Sequence, residues 1–168
     1  MRWLTASLED VPDGDDWLGP REREILATLD GERRRADWRL GRWAAKQLLG
    51  DPAIEILPAA DGAPEASGVS LSIAHRRGRA LVACADGPVG CDLEPLRDDR
   101  DVTRHVAHEA AAKALRRGLL DGGSPRVERD GATFVVRWPD GAEARGTWWI
   151  DDGWAMAVTG PRGIRVQM

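Results

Sequence analysis

The chain has 168 residues, 42% of them hydrophobic and 31% charged, with a formal net charge of -4. That length allows one domain or two closely packed subdomains with a real core, and the acidic balance argues against a nucleic-acid-binding surface. No apolar run reaches membrane-span length and the first residues lack a secretory pattern; Cys84 and Cys91 read as buried free thiols of a cytoplasmic protein.

Arg2 to Leu8 has the composition of a short first strand, and Pro12 to Gly19 is rich in turn residues. Pro20 opens a helix, with Glu22 and Glu24 near the positive end of its dipole and Ile25, Leu26 and Leu29 as its apolar stripe. A longer helix is predicted from about Arg34 to Leu49, stopped by Gly50, with Trp38, Leu40, Ala44 and Leu48 among its buried positions. Arg35, Arg39, Arg42 and Lys46 recur at spacings that align them on one face. Such a stripe is either a solvated face or an anion-binding one. The scarcity of acidic residues at matching spacing, with Arg33 and Arg34 adjoining, favours an anionic ligand.

Ile54 to Leu57 reads as a short strand and Asp61-Gly62-Ala63-Pro64 as a turn. Val69 to Ala74 and Ala80 to Ala85 follow as strands, and Asp86-Gly87-Pro88 turns into Val89-Gly90-Cys91-Asp92-Leu93-Glu94. Three strands in quick succession predict a local antiparallel sheet. His75, at a strand end beside Arg76 and Arg77, reads either as a structural histidine or as a phosphate donor. Asp92 and Glu94 stand at i and i+2 of a strand and so project to one face, with Cys91 and Leu93 on the other. Two such carboxylates are either a solvated acidic strand end or ligands for an oxygen-seeking divalent cation, Mg²⁺ above all.

After the polar connection Arg97 to Arg100, Asp101 to about Leu115 predicts an alanine-rich helix with Glu109 and Lys113 at i,i+4, ended by Gly118 and Gly122-Gly123. The rest is β-rich. Strands are expected at Arg126 to Arg129, Thr133 to Trp138, Ala142 to Ile150, Trp154 to Thr159 and Ile164 to Met168. Asp130-Gly131, Asp140-Gly141 and Asp152-Gly153 mark the hairpin turns between them. No catalytic constellation follows Lys113.

Several pieces, in order, resemble the 4′-phosphopantetheinyl transferase superfamily, specifically its surfactin-synthetase-activating type. They are the helix Arg35-Ala36-Asp37-Trp38-Arg39-Leu40-Gly41-Arg42-Trp43-Ala44-Ala45-Lys46, the turn Asp61-Gly62-Ala63-Pro64, and Ser72-Ile73-Ala74-His75. Gly90-Cys91-Asp92-Leu93-Glu94, Glu109-Ala110-Ala111-Ala112-Lys113 and Gly153 to Val158 complete the set, which spans roughly Leu18 to Thr159. The resemblance implies an α+β protein of two similar α/β subdomains related by a pseudo-twofold, each with an antiparallel sheet and one long helix. The division falls near Pro95, giving residues 1–95 and 96–168.

The implied reaction is Mg²⁺-dependent transfer of the phosphopantetheine arm of coenzyme A to a serine of an acyl or peptidyl carrier protein. Such transfer serves fatty-acid, polyketide or nonribosomal-peptide biosynthesis in the cytoplasm. By position match, Asp92, Glu94 and Glu109 would hold Mg²⁺, or Mn²⁺ in its place. Glu109 would also help deprotonate the serine, and Lys113 would stabilise developing charge. Arg42 and His75 match phosphate-binding positions for the co-substrate coenzyme A, and Arg35 lies near the 3′-phosphate contacts. The implied partners are carrier protein and coenzyme A, with no nucleic acid or membrane, in a monomer or homodimer.

The chain departs from the pattern in places. Ala63 replaces a lysine, Ala74 a serine, and His105 and His108 replace a tryptophan and a lysine; Arg76 offers local charge in compensation and is expected to join Arg35, Arg42 and His75 in binding coenzyme A. Fourteen residues, 95 to 108, separate Glu94 from Glu109, where relatives carry a longer excursion that helps to dock the carrier. The alternative these departures motivate is a repurposed member that binds coenzyme A, a carrier protein or another small molecule in the cleft without transfer, possibly a biosynthetic pathway enzyme.

Overall fold

Twice along the chain a strand, a helical segment and four further strands follow one another, with two α-helices in the first segment and one in the second. The computed structural model describes residues 1–97, 101–118, 121 and 123–165. The first unit contains β1 (Arg2–Ser7), α1 (Pro20–Thr28), α2 (Glu32–Leu49), β2 (Leu57–Pro58), β3 (Pro64–Ala66), β4 (Val69–Arg76) and β5 (Arg79–Ala85). The second contains β6 (Gly90–Pro95), α3 (Val102–Ala114), β7 (Arg126–Asp130), β8 (Thr133–Arg137), β9 (Glu143–Asp151) and β10 (Trp154–Arg165). Their antiparallel five-stranded sheets have the orders β1-β5-β4-β3-β2 and β6-β10-β9-β8-β7. In both, the first strand pairs with the last. The protein is therefore α+β, with two α/β units of matching connectivity.

Strand parity turns these units into four layers. Along β5, Ala80, Val82 and Cys84 face α2, where they pack with Leu40, Ala44 and Leu48. Leu81 and Ala83 point the opposite way and meet Cys91, Leu93, Met156 and Val158 from the second sheet. The outer face of that sheet offers Ala144, Ala155 and Ala157, and α3 covers them with Val106, Ala107, Ala110 and Ala111. The order is thus α2, sheet, sheet, α3. Burial of each large aliphatic side chain stabilises this stack by about 1.5–3 kcal/mol.

Two glycines set how closely the helices approach. A Cβ on Gly41 of α2 would come within 2.8 Å of Ile73 Cγ2 on β4, so the bare backbone lets α2 lie against that strand. A Cβ on Gly90 would collide with the Ala110 carbonyl oxygen of α3. Close approach at Gly90 lays α3 along β6, so that the faces of Asp92 and Glu109 meet.

The expected boundary near Pro95 kept Gly90–Pro95 with the first half, whereas pairing of β6 with β10 makes this strand the opening of the second unit. Lys46, read on sequence as part of an outward cationic stripe, lies inside. Its Nζ is 2.8 Å from Glu22 Oε2 and donates to Ile54 O at 2.6 Å and Pro52 O at 3.2 Å. Glu22 also accepts from Gly19 N and Ile56 N, so this buried pair has its hydrogen bonds satisfied. Those bonds claim the backbone of residues 54 and 56, and β2 accordingly starts only at Leu57, later than the expected Ile54. Arg39 leaves the stripe as well: it binds Asp15 Oδ1 at 3.0 Å and Pro12 O at 2.8 Å, pinning the turn-rich segment before α1.

Near the C-terminus, the two strands expected at Trp154 to Thr159 and from Ile164 onward are one strand with a register shift between Thr159 and Ile164. Asp98, Asp99, Arg100, Gly122 and the end of the last expected strand, residues 166–168, lie outside the described residues.

Candidate functional site

Asp92 on β6 and Glu109 and Lys113 on α3 meet where the helix crosses the strand. Lys113 Nζ donates to Asp92 Oδ1 at 2.7 Å and to the Cys91 carbonyl at 3.1 Å, and lies 3.8 Å from Glu109 Oε2. Glu109 and Lys113 share a face because they are one helical turn apart. The Asp92 side chain is only 7% exposed, and its Oδ2 is buried without a hydrogen-bond partner. Burial pushes the Asp92 carboxyl up to about 6; Lys113 works against this rise and Glu109 adds to it. Burial would lower the Lys113 ammonium, but Asp92 and Glu109 outweigh it and hold it above its ordinary value. Two carboxylates with one orphaned, desolvated oxygen fit a divalent cation, which supplies the charge that Asp92 lacks.

His105 is the third member of the cluster. Its Nε2 lies 2.9 Å from Glu109 Oε1, and one ligand atom from each of Asp92, His105 and Glu109 falls within 4.8 Å of the others. Sequence reasoning passed over His105, although His105 and Glu109 at i,i+4 carried the signal. Glu94, expected as the third ligand, pairs with Arg76, whose Nε sits 3.3 Å from its Oε2. Strand parity does place it on the face of Asp92, and it lines a hollow of about 310 Å³ with Arg76, His105 and Glu109. His108 turns to Trp138, with ring centroids 6.0 Å apart, and its Nε2 is buried without a partner. Burial pulls its imidazole below the usual range, against the pull of Glu109.

Across the cleft, Arg42 of α2 lies with its guanidinium 4.2 Å from the Trp38 ring centroid. Burial pulls it down to about 10, opposed by Glu22, so it stays cationic at neutral pH. His75, at the end of β4, passes close to Gly41. Loss of water around its ring, together with the charges of Arg42 and Lys113, draws it below its ordinary value against the opposing charge of Asp37. Arg35 is exposed near the start of α2 and makes no ion pair among the described residues. Arg42 and Lys113 thus place positive charge on either side of an uncharged His75 imidazole, near the carboxylates.

Lys113 also lines a larger hollow of about 900 Å³, between the Asp61–Pro64 turn, β4 and the end of α3. Arg116 closes one side with ion pairs to Asp61 and Glu65, each at 3.3 Å. Beneath the site, Ser72 Oγ accepts from Cys91 N at 3.0 Å and ties the two sheets together. Burial pushes the Cys91 thiol up to about 11, which leaves it unreactive at neutral pH.

No protein-family model matches the chain, and no curated protein matches it. No helix is long and apolar enough to cross a membrane.

Proposed function

We propose that this chain is a Mg²⁺-dependent 4′-phosphopantetheinyl transferase, a pseudo-twofold member of that superfamily acting on a carrier protein in the cytoplasm. The observation that carries the reading is the meeting of Asp92, Glu109 and Lys113 from a strand and a helix, with the Arg42 guanidinium and the His75 imidazole nearby. The matching strand order of the two units adds support.

In this reading Arg42 and His75 bind the pyrophosphate of coenzyme A, and Arg35 reaches its 3′-phosphate. Asp92 and Glu109 would hold Mg²⁺, which neutralises phosphate charge when bound. Glu109 takes the proton of the carrier serine, and the freed oxygen attacks the β-phosphorus. The bond from that phosphorus to the bridging oxygen breaks, and adenosine 3′,5′-bisphosphate departs with the electron pair. Lys113, fixed by Asp92 Oδ1 and Cys91 O, stabilises the charge that develops.

Incubation of apo carrier proteins of the fatty-acid, polyketide and nonribosomal-peptide types with coenzyme A and Mg²⁺ tests this by intact-mass spectrometry. A mass gain of one phosphopantetheine arm is expected on at least one carrier. The absence of any adduct across all three types overturns the reading. The pairing of Glu94 with Arg76 favours one second reading, a relative that binds coenzyme A without transferring from it. Calorimetry showing tight coenzyme A binding by a protein that forms no adduct would select it.

A further inference from the structure

We propose that His105 is a metal ligand beside Asp92 and Glu109, and that this mixed nitrogen and oxygen set selects a first-row transition ion over Mg²⁺. The inference rests on the reading above in taking this cluster as the place of the metal, but it requires neither coenzyme A nor transfer.

Three observations carry it. One ligand atom from each of the three residues lies within 4.8 Å of the others, close enough for small side-chain rotations to close them on one ion. Asp92 Oδ2 is an acceptor with no partner on a side chain more than nine-tenths buried, and a buried orphan of this kind calls for a cation. Finally, Glu94 is paired with Arg76, and the grouping of ligand atoms beside Asp92 and Glu109 is completed by the His105 imidazole in place of a third carboxylate.

The chemistry follows from the donor set. Mg²⁺ prefers oxygen ligands in a near-ideal octahedron and parts with its waters reluctantly, so a nitrogen donor adds little for it. For Mn²⁺, Co²⁺, Ni²⁺ and Zn²⁺ an imidazole is a favourable ligand, and affinity climbs along that series as far as nickel. Binding needs the Nε2 lone pair. Nε2, 2.9 Å from Glu109 Oε1, must therefore be bare in the metal-bound form, with the ring proton on Nδ1. Lys113 keeps Asp92 Oδ1 occupied, which leaves Oδ2 as the free oxygen on that carboxylate. His105 is half exposed, so its ring can turn without disturbing the core.

Co²⁺ is the probe, because its visible bands shift when a ligand is replaced. Metal-free protein is titrated with Co²⁺ by absorbance and with Mg²⁺ by calorimetry, alongside His105→Phe and Asp92→Asn. The expected result is that His105→Phe weakens Co²⁺ at least about tenfold and shifts its absorption bands, while Mg²⁺ affinity stays within about twofold. Asp92→Asn should weaken both ions. Near-ultraviolet circular dichroism, which reads the eight tryptophans, checks that each variant keeps its packing. Co²⁺ affinity and bands indifferent to His105→Phe overturn the proposal, as does a protein that binds no Co²⁺. A protein that binds Co²⁺ through His105 and modifies no carrier sinks only the transferase reading. One that modifies a carrier in Mg²⁺ but ignores His105 in Co²⁺ sinks only this one.

Discussion

Lys46 and Lys113 are the only lysines of the chain; each sits in the last turn of a helix and meets a buried carboxylate. Around Lys46 every oxygen of Glu22 has a donor, and both side chains are essentially sealed, at 1% and 0% exposure. Around Lys113 the lysine side chain is 35% exposed and Asp92 keeps an oxygen with no donor at all. The same residue pairing thus serves two ends. A closed pair holds a loop to a helix, and an open pair leaves binding capacity for something not part of the chain. Completeness of hydrogen bonding, more than burial, separates structure from site here.

The sharpest way to break this comparison is to remove each lysine in turn. Lys46→Ala strands Glu22 as an acceptor among backbone donors and should cost about 3–5 kcal/mol in urea denaturation. Lys113→Ala should cost on the order of 1 kcal/mol, because Asp92 can take up a proton, while transfer to a carrier is lost. Equal stability losses would show that both pairs are structural.

A second comparison uses pH. The folded-state value of Asp92, about 6, lies above the ordinary 3.8. Its contribution to stability is therefore full below 3.8 and is lost as pH rises through 6. Metal-free Asp92→Asn lacks this loss and should match the native protein near pH 4 and exceed it by up to about 3 kcal/mol near pH 7.5. Urea midpoints at the two pH values measure it, and a variant less stable at pH 7.5 would mean that the Lys113 bond dominates. The smallest effect concerns Glu94. Arg76→Ala frees its carboxylate for the cluster and should raise Mg²⁺ affinity by up to about fivefold, since a half-exposed ion pair is worth about 1 kcal/mol or less. Calorimetry would register the change, and unaltered affinity would place Glu94 out of reach.

Local rules carried much of the fold. The stop at Gly50 and the Asp152-Gly153 hairpin turn needed only positive φ, which both glycines and Asp152 adopt. The strand carrying Asp92, and the facing helix with Glu109 and Lys113, were legible from periods of two and of three to four. What those periods could not say was which partner each side chain would choose across the fold. Helix spacing aligned Lys46 with Arg42, but only the arrival of α1 with Glu22 decides that it points inward. Strand parity put Glu94 beside Asp92, yet Arg76, from a strand of the other sheet, claims it. His105 stood where the family pattern has tryptophan, and that pattern drew attention away from its one-turn spacing to Glu109.

The separate closure of the two sheets has a practical consequence. Each is complete within its own stretch of chain, and Asp86-Gly87-Pro88 is the bridge between β5 and β6. A nick at that bridge severs no strand pairing, yet it leaves two pieces whose apolar backs match and whose charged corners stay separate. Expressed apart, the second piece keeps Asp92, His105, Glu109 and Lys113 while Arg42 and His75 stay with the first, so metal binding should survive in the second piece alone and an anion site that needs both sets would return only on mixing.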